Sequence, residues 1–151
     1  MTTHAASPAW SLPSYRLAMR RIRLLLVDDH HMVRQALRSH IARWPDMELV
    51  GEAADGEEAV RKADILSPDV VVMDIRMPRM NGIEATKLII EAHPSVCVIG
   101  LSFEVGTPRE EALLKAGAYR VIDKGASSNQ LHHAISQTVD RHRSACLPRG
   151  R

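Results

Sequence analysis

Residues 68–82 read PDVVVMDIRMPRMNG. Val70–Met73 is an apolar run with no polar break, and it stops on Asp74. The Ser67–Pro68 pair before it and the stretch Met77-Pro78-Arg79-Met80-Asn81-Gly82 after it carry turn and loop chemistry. A strand with one wet face alternates polar and apolar residues. An unbroken run bounded by turn signals fits a strand covered on both faces. Beyond the loop, Ile83–Ala92 has a helical pattern and Pro94 stops it. The stretch therefore defines a unit: a buried strand, an acid at its C-terminal tip, a loop and a helix.

The same unit recurs on both sides. Ile22–Val27 is an apolar run followed by a helical pattern over His30–Arg43, with Val33, Ala36, Leu37, His40 and Ile41 on one stripe and Pro45 as the stop. Met47–Ala53 precedes a short helix at Gly56–Leu66, and Val96–Leu101 precedes a helix at Pro108–Ala116 with Gly117 as its C′ residue. Tyr119–Ile122 is followed by Ser127–His142, where Leu131, Ile135, Thr138 and Val139 face inward. Five β-α units predict an α/β fold: a doubly wound parallel sheet with helices on both faces. By analogy with flavodoxin-like folds, the strand order is expected to be 2-1-3-4-5. The expected division is an N-terminal extension without fixed structure over 1–20, one folded domain over 21–143 and a basic tail over 144–151. A further expectation is that translation starts at Met19, just before the first strand.

Composition narrows the function classes. The formal charge of +2 conceals an uneven distribution. Residues 1–23 and 141–151 each carry four Arg and no acid, while the segment between holds the other 12 basic residues and all 18 acids, a net charge of −6. An acidic fold argues against a nucleic-acid groove on the domain itself, and the basic ends read as solvated segments. No apolar run approaches the ~20 residues of a membrane span. Cys97 lies in an apolar strand and Cys146 in the basic tail, a pattern that suggests neither disulfide nor metal framework and fits a reducing, cytoplasmic location.

In an open parallel sheet, ligands bind beyond the carboxyl ends of the strands. Strand 1 ends in Asp28-Asp29, strand 3 in Asp74, strand 4 in Ser102 and strand 5 in Asp123-Lys124. These four strands are neighbours in the expected order, so their tips should converge. Like-charged carboxylates ~4 Å apart repel by ~4 kcal/mol per pair at an effective dielectric of ~20, and protons or a cation must relieve this. A set of carboxylate oxygens without Cys or His selects a hard cation such as Mg²⁺. His30 and His31 are read as the start of the first helix, not as metal ligands. Lys124 and Ser102 opposite a metal suit a tetrahedral anion. Asp74, alone on the central strand, is the nucleophile candidate, since an aspartate can attack phosphorus. Asp55 and Asp69 are read as cap or turn residues.

The stretches LLLVDDHHMVRQAL (24–37), ELVGEAADGEEAV (48–60), PDVVVMDIRMPRMNGIEAT (68–86), VIGLS (98–102) and KAGAYRVIDK (115–124) resemble the receiver domains of bacterial two-component response regulators, above all the LuxR/NarL type. The resemblance runs from about Ile22 to about Val139. It implies that Asp74 is the phosphoacceptor and that Mg²⁺ is held by Asp29 directly, by Asp28 mainly through water, by Asp74 and by the backbone carbonyl of Arg76. It also implies that Lys124 pairs with the phosphoryl group and that Ser102 swings to hydrogen-bond it. A histidine kinase would be the phosphodonor. The output would be a shift of the 4-5 face, by homodimerisation or altered partner docking. Such a protein catalyses its own phosphorylation and dephosphorylation and turns over no separate substrate.

Three departures from the family pattern stand out. The residue three before Lys124 is Val121, where the family often has an aromatic, and Tyr119 lies two residues earlier. Arg76 and Glu104 occupy positions at which the family tunes phosphoryl lifetime. Only 27 residues follow Lys124, so no helix-turn-helix DNA-binding domain is expected in this chain. Alternatives are a receiver-like interaction module that works without phosphorylation, an aspartate-nucleophile phosphatase and a flavodoxin-like electron carrier. The phosphatase would need a second acid where Arg76 stands, and the carrier a phosphate loop where Asp28-Asp29-His30 stands.

Overall fold

The computed structural model describes residues 20–146. The expectations for residues 1–19 and 147–151, including the start at Met19, lie outside the described residues. Five strands alternate with five helices: β1 (Ile22–Val27), α1 (His31–Ile41), β2 (Met47–Ala53), α2 (Gly56–Leu66), β3 (Val70–Asp74), α3 (Gly82–Ala92), β4 (Cys97–Ser102), α4 (Pro108–Lys115), β5 (Arg120–Asp123) and α5 (Ser128–Cys146). All pairings are parallel, in the order β2-β1-β3-β4-β5.

The unbroken apolar runs have a direct physical reason: each central strand feeds two cores. Leu24, Leu26, Val70, Val72, Ile99 and Leu101 face α1 and α5, where they meet Ile41, Leu131, Ile135 and Val139. Leu25, Val27, Val71, Met73 and Val98 face the other side, where Ala59, Ala63, Ala85, Ile89 and Leu113 supply the cover. Alternate residues point to opposite faces, so a strand buried twice needs apolar residues at every position.

Caps set the helix starts. Asp55 accepts from the Glu58 N–H, Asn81 from the Ile83 and Glu84 N–H groups, and Thr107 from the Glu110 N–H, with Pro108 opening α4. At the end of α4, Gly117 adopts φ +117°, its N–H donates to the Leu114 carbonyl, and the Ala118 N–H donates to that of Leu113. This Schellman closure is what the sequence pattern anticipates.

Some boundaries move. β4 and β5 each reach one residue further than the sequence suggests, so Ser102 and Asp123 are themselves the last strand residues. The final helix continues to Cys146, past His142, so residues 144–146 of the expected tail are helical. α1 is shorter than its pattern, and only Ile41 of its stripe is fully buried. Ala36 is exposed, and Val33, Leu37 and His40 border an open groove of about 280 Å³ between α1 and the start of α5.

Candidate functional site at the carboxyl edge of the sheet

The strand order places the tips of β1, β3, β4 and β5 side by side. Asp28 follows β1 and is fully buried, and Asp74, the last residue of β3, is 3 % exposed. Lys124 follows β5, and its N–H donates to the Ser102 carbonyl, which fixes the start of its side chain beside β4. Its ammonium lies 2.8 Å from Asp28 Oδ2 and 3.1 Å from Asp74 Oδ1, so one buried cation bridges two buried acids.

The loop after Asp74 is shaped by two glycines. The Gly82 N–H donates to the Ile75 carbonyl, and a Cβ on Gly82 would sit 2.1 Å from the Asp74 carbonyl oxygen. Gly56 receives the loop from the other side, since its N–H donates to the Met80 carbonyl and a Cβ there would meet that oxygen at 2.4 Å. The Asn81-Gly82 pair thus lets α3 begin directly beneath Asp74.

The electrostatics follow from burial. Asp74 is raised from 3.8 to about 6, first by its removal from water and then by the charge of Asp28, against the pull of Lys124 and of the Arg76 N–H, which lies 3.3 Å from Oδ1. The Lys124 ammonium is held above the usual lysine value. Burial opposes this, but the Asp28 hydrogen bond and the charges of Asp74 and Asp28 outweigh it.

One lysine does not satisfy the acids. Asp74 Oδ2 is buried without a hydrogen-bond partner, and buried Asp29 Oδ1 has no hydrogen bond beyond its 3.0 Å approach to the His30 ring. Asp28, Asp29, His30 and Asp74 each offer a ligand atom, all within 4.8 Å of one another. Unpaired buried carboxylate oxygens beside such a set fit a hard divalent cation. A cavity of about 250 Å³ opens over Asp74 between Arg76, Ser102, Phe103, Glu104 and Lys124, and a wider one, about 520 Å³, adjoins it on the Asp29 side.

All of the side chains anticipated from the sequence reach this edge. Asp28, Asp29 and Asp74 cluster, and Lys124 joins two of them. Ser102 lines the cavity, but its hydroxyl is engaged locally: it donates to the Glu104 carbonyl at 2.9 Å and accepts from the Glu104 N–H at 3.1 Å. Asp55 caps α2, and Asp69 accepts from the Arg23 N–H, as their turn positions suggest. Tyr119 is exposed at the far end of β5 and lines a separate cavity with Arg120 and Arg141.

Four features were not read from the sequence. The His30 ring lies 3.1 Å from Asp28 Oδ1 and 3.0 Å from Asp29 Oδ1; although His30 occupies the N-cap position of α1, its side chain makes no cap bond. Arg76 pairs with Glu104 at 3.1 Å across the cavity mouth. Phe103, 68 % exposed, lies over the Lys124 ammonium at 5.1 Å. Arg34 donates to the Asp28 carbonyl. Only the last had a sequence signal: an Arg in the first turn of the helix after the acids.

Residues 24–136 match the response regulator receiver domain family. The chain belongs to that family. It is 40% identical to the response regulator GacA of Pseudomonas viridiflava over 114 residues, 76% of this chain and 53% of that protein. The response regulator domain of Thermotoga maritima CheB superposes with a TM-score of 0.72 at 39% identity, covering 85% of this chain and all of that one. A LuxR-family two-component response regulator from Aurantimonas sp. SI85-9A1 gives 0.76 at 34% identity, covering 80% and 86%. The receiver therefore has LuxR/NarL-type relatives, and the chain spans about half the length of the curated relatives it matches. Membership sets aside the phosphatase and electron-carrier readings. Among the described residues no helix is long and apolar enough to cross a membrane.

Proposed function

We propose that this receiver domain accepts a phosphoryl group on Asp74 from a histidine kinase, with Mg²⁺ held by Asp28, Asp29, Asp74 and the backbone carbonyl of Arg76. The observation that carries the reading is the buried Asp28–Lys124–Asp74 bridge with Asp74 Oδ2 left unpaired at a cavity. A bound Mg²⁺ supplies a hard charge that screens the acids and the transferring oxygens. The chain's own residues do the rest. With its value near 6, Asp74 is mostly ionised at neutral pH. A carboxylate oxygen attacks phosphorus, the P–N bond of the donor phosphohistidine breaks with its electron pair returning to the imidazole, and an aspartyl P–O bond forms. Lys124 exchanges an acid for a phosphoryl oxygen. Ser102 gives up its bonds to Glu104 and donates to another, which draws the 103–106 loop toward the site.

The rest of the proposal concerns context. The receiver occupies 21–146, works in the cytoplasm, and signals by homodimerisation or partner docking through the 4-5 face. Incubation with acetyl phosphate or beryllofluoride, with and without Mg²⁺, tests the chemistry by mass and oligomeric state. A Mg²⁺-dependent adduct that disappears in Asp74→Asn is expected. No adduct in the wild type, with partner binding retained, would instead mark a phosphorylation-independent interaction module.

A further inference from the structure

The acid pair sits on a turn, Asp28-Asp29-His30, between β1 and α1. Within that turn the Asp28 side chain accepts from the His30 N–H at 2.9 Å, but the His30 side chain makes no cap bond and the first turn of α1 has no acid. A tie from the helix itself comes from Arg34. Its Nη1 donates to the Asp28 carbonyl at 2.5 Å, while its Nε lies 3.5 Å from Glu52 Oε1 on β2. The Arg34 side chain is only 15 % exposed, and its ion-pair partner is Glu52, which is not one of the clustered acids. Glu52 is itself held by Arg38 at 3.0 Å.

The peptide joining Asp28 to Asp29 is planar. A donor fixed on its oxygen therefore restrains the backbone plane from which both acids leave the chain, in addition to the hold that Lys124 and the His30 N–H have on the Asp28 carboxylate. We propose that Arg34 is a positioning residue, gripping the Asp28–Asp29 peptide against Glu52 so that both carboxylates are pre-set for a divalent cation. The inference rests on the proposed function. Arg34 has two opposing effects. Its charge repels a cation, whereas its grip removes the cost of ordering the acids. The proposal is that the grip wins, and the sign of one measurement decides.

Mg²⁺ alone is titrated into the full chain and read by calorimetry and amide chemical shifts. Arg34→Ala is expected to weaken binding by ~10- to 100-fold, the usual range for groups that orient metal ligands. Arg38→Ala leans on the same Glu52 without reaching Asp28, and should stay within ~2-fold by the same reasoning. Arg34→Lys keeps the charge but not the fork; it should also weaken binding, which keeps the proposal testable if the alanine variant does not fold. With acetyl phosphate, the half-saturating Mg²⁺ concentration should rise in Arg34→Ala while the rate at saturating Mg²⁺ changes little. Unchanged or tighter Mg²⁺ binding in both Arg34 variants, beside a wild type that binds, overturns this inference alone. A wild type that binds no Mg²⁺ overturns the proposed function and the inference with it.

Discussion

Replacing Asp74 with Asn should stabilise the metal-free protein, although it removes the residue at the centre of the site. Asp74 is 3 % exposed and its carboxyl is raised from 3.8 to about 6. The folded state therefore holds a proton that the unfolded chain has already lost between these two values. Stability must fall as pH rises through that window and stay lower above it. A shift of about two units at ~1.4 kcal/mol each puts the penalty at about 3 kcal/mol near pH 7.5. Asn matches the neutral acid in shape and escapes the penalty. For a domain of this size ~1 kcal/mol corresponds to ~4 °C, so Tm should rise by up to ~10 °C at pH 7.5 in EDTA. Near pH 4 the two proteins should melt together. Added Mg²⁺ should then raise the wild type more than the variant, because binding to the folded state alone adds to its stability. Thermal melts from pH 4 to 8 measure all of this. Parallel curves across that range, or a variant less stable at pH 7.5, would refute the claim that burial and Asp28 govern Asp74.

Lys124→Ala leaves Asp28 and Asp74 facing each other without a counter-charge, so it should cost ~3–5 kcal/mol in metal-free urea unfolding at pH 7.5; adding Asp74→Asn should recover a large part of that loss. Gly82→Ala places a Cβ 2.1 Å from the Asp74 carbonyl, so the loop must move; Mg²⁺-dependent adduct formation, followed by mass, should be lost. Ser102→Ala should still form the adduct, but hydrogen exchange over residues 103–106 should no longer respond to it.

The sequence is legible here because a buried parallel strand spends its interior on apolar residues and can place polar groups only at its tip. VVVM followed by Asp, LLLV followed by Asp-Asp, and VID followed by Lys each announce a strand end, and the β2-β1-β3-β4-β5 order brings those ends together. Cross-loop pairs are less legible. Arg76 and Glu104 lie 28 residues apart on exposed loops, and neither letter differs from a solvated charge. The place of the His30 ring is equally hard to read, because an imidazole after two acids is no sequence signature. The ring turns toward Asp28 and Asp29 only through the backbone of that turn. The open groove beside α1 was hidden for a similar reason: Val33, Ala36 and Leu37 obey the helical period, but whether α5 closes over them depends on packing that no local pattern encodes.

The double duty of Lys124 follows from counting charge in the pocket. Asp28, Asp29 and Asp74 bring three negative charges within 4.8 Å, and Lys124 returns one positive charge to two of them. The cation that bridges the two buried acids of the unliganded pocket is therefore also the cation nearest the proposed point of phosphoryl attachment. It cannot serve both fully. A phosphoryl group on Asp74 would add about one more negative charge at neutral pH, and drawing Lys124 toward it would leave Asp28 buried and unpaired. Under the proposed function, another cation on Asp28 and Asp29 would resolve the conflict; divalent-ion binding would then come before phosphoryl uptake, and the geometry of the acid pair, not that of Asp74 alone, would control whether uptake occurs.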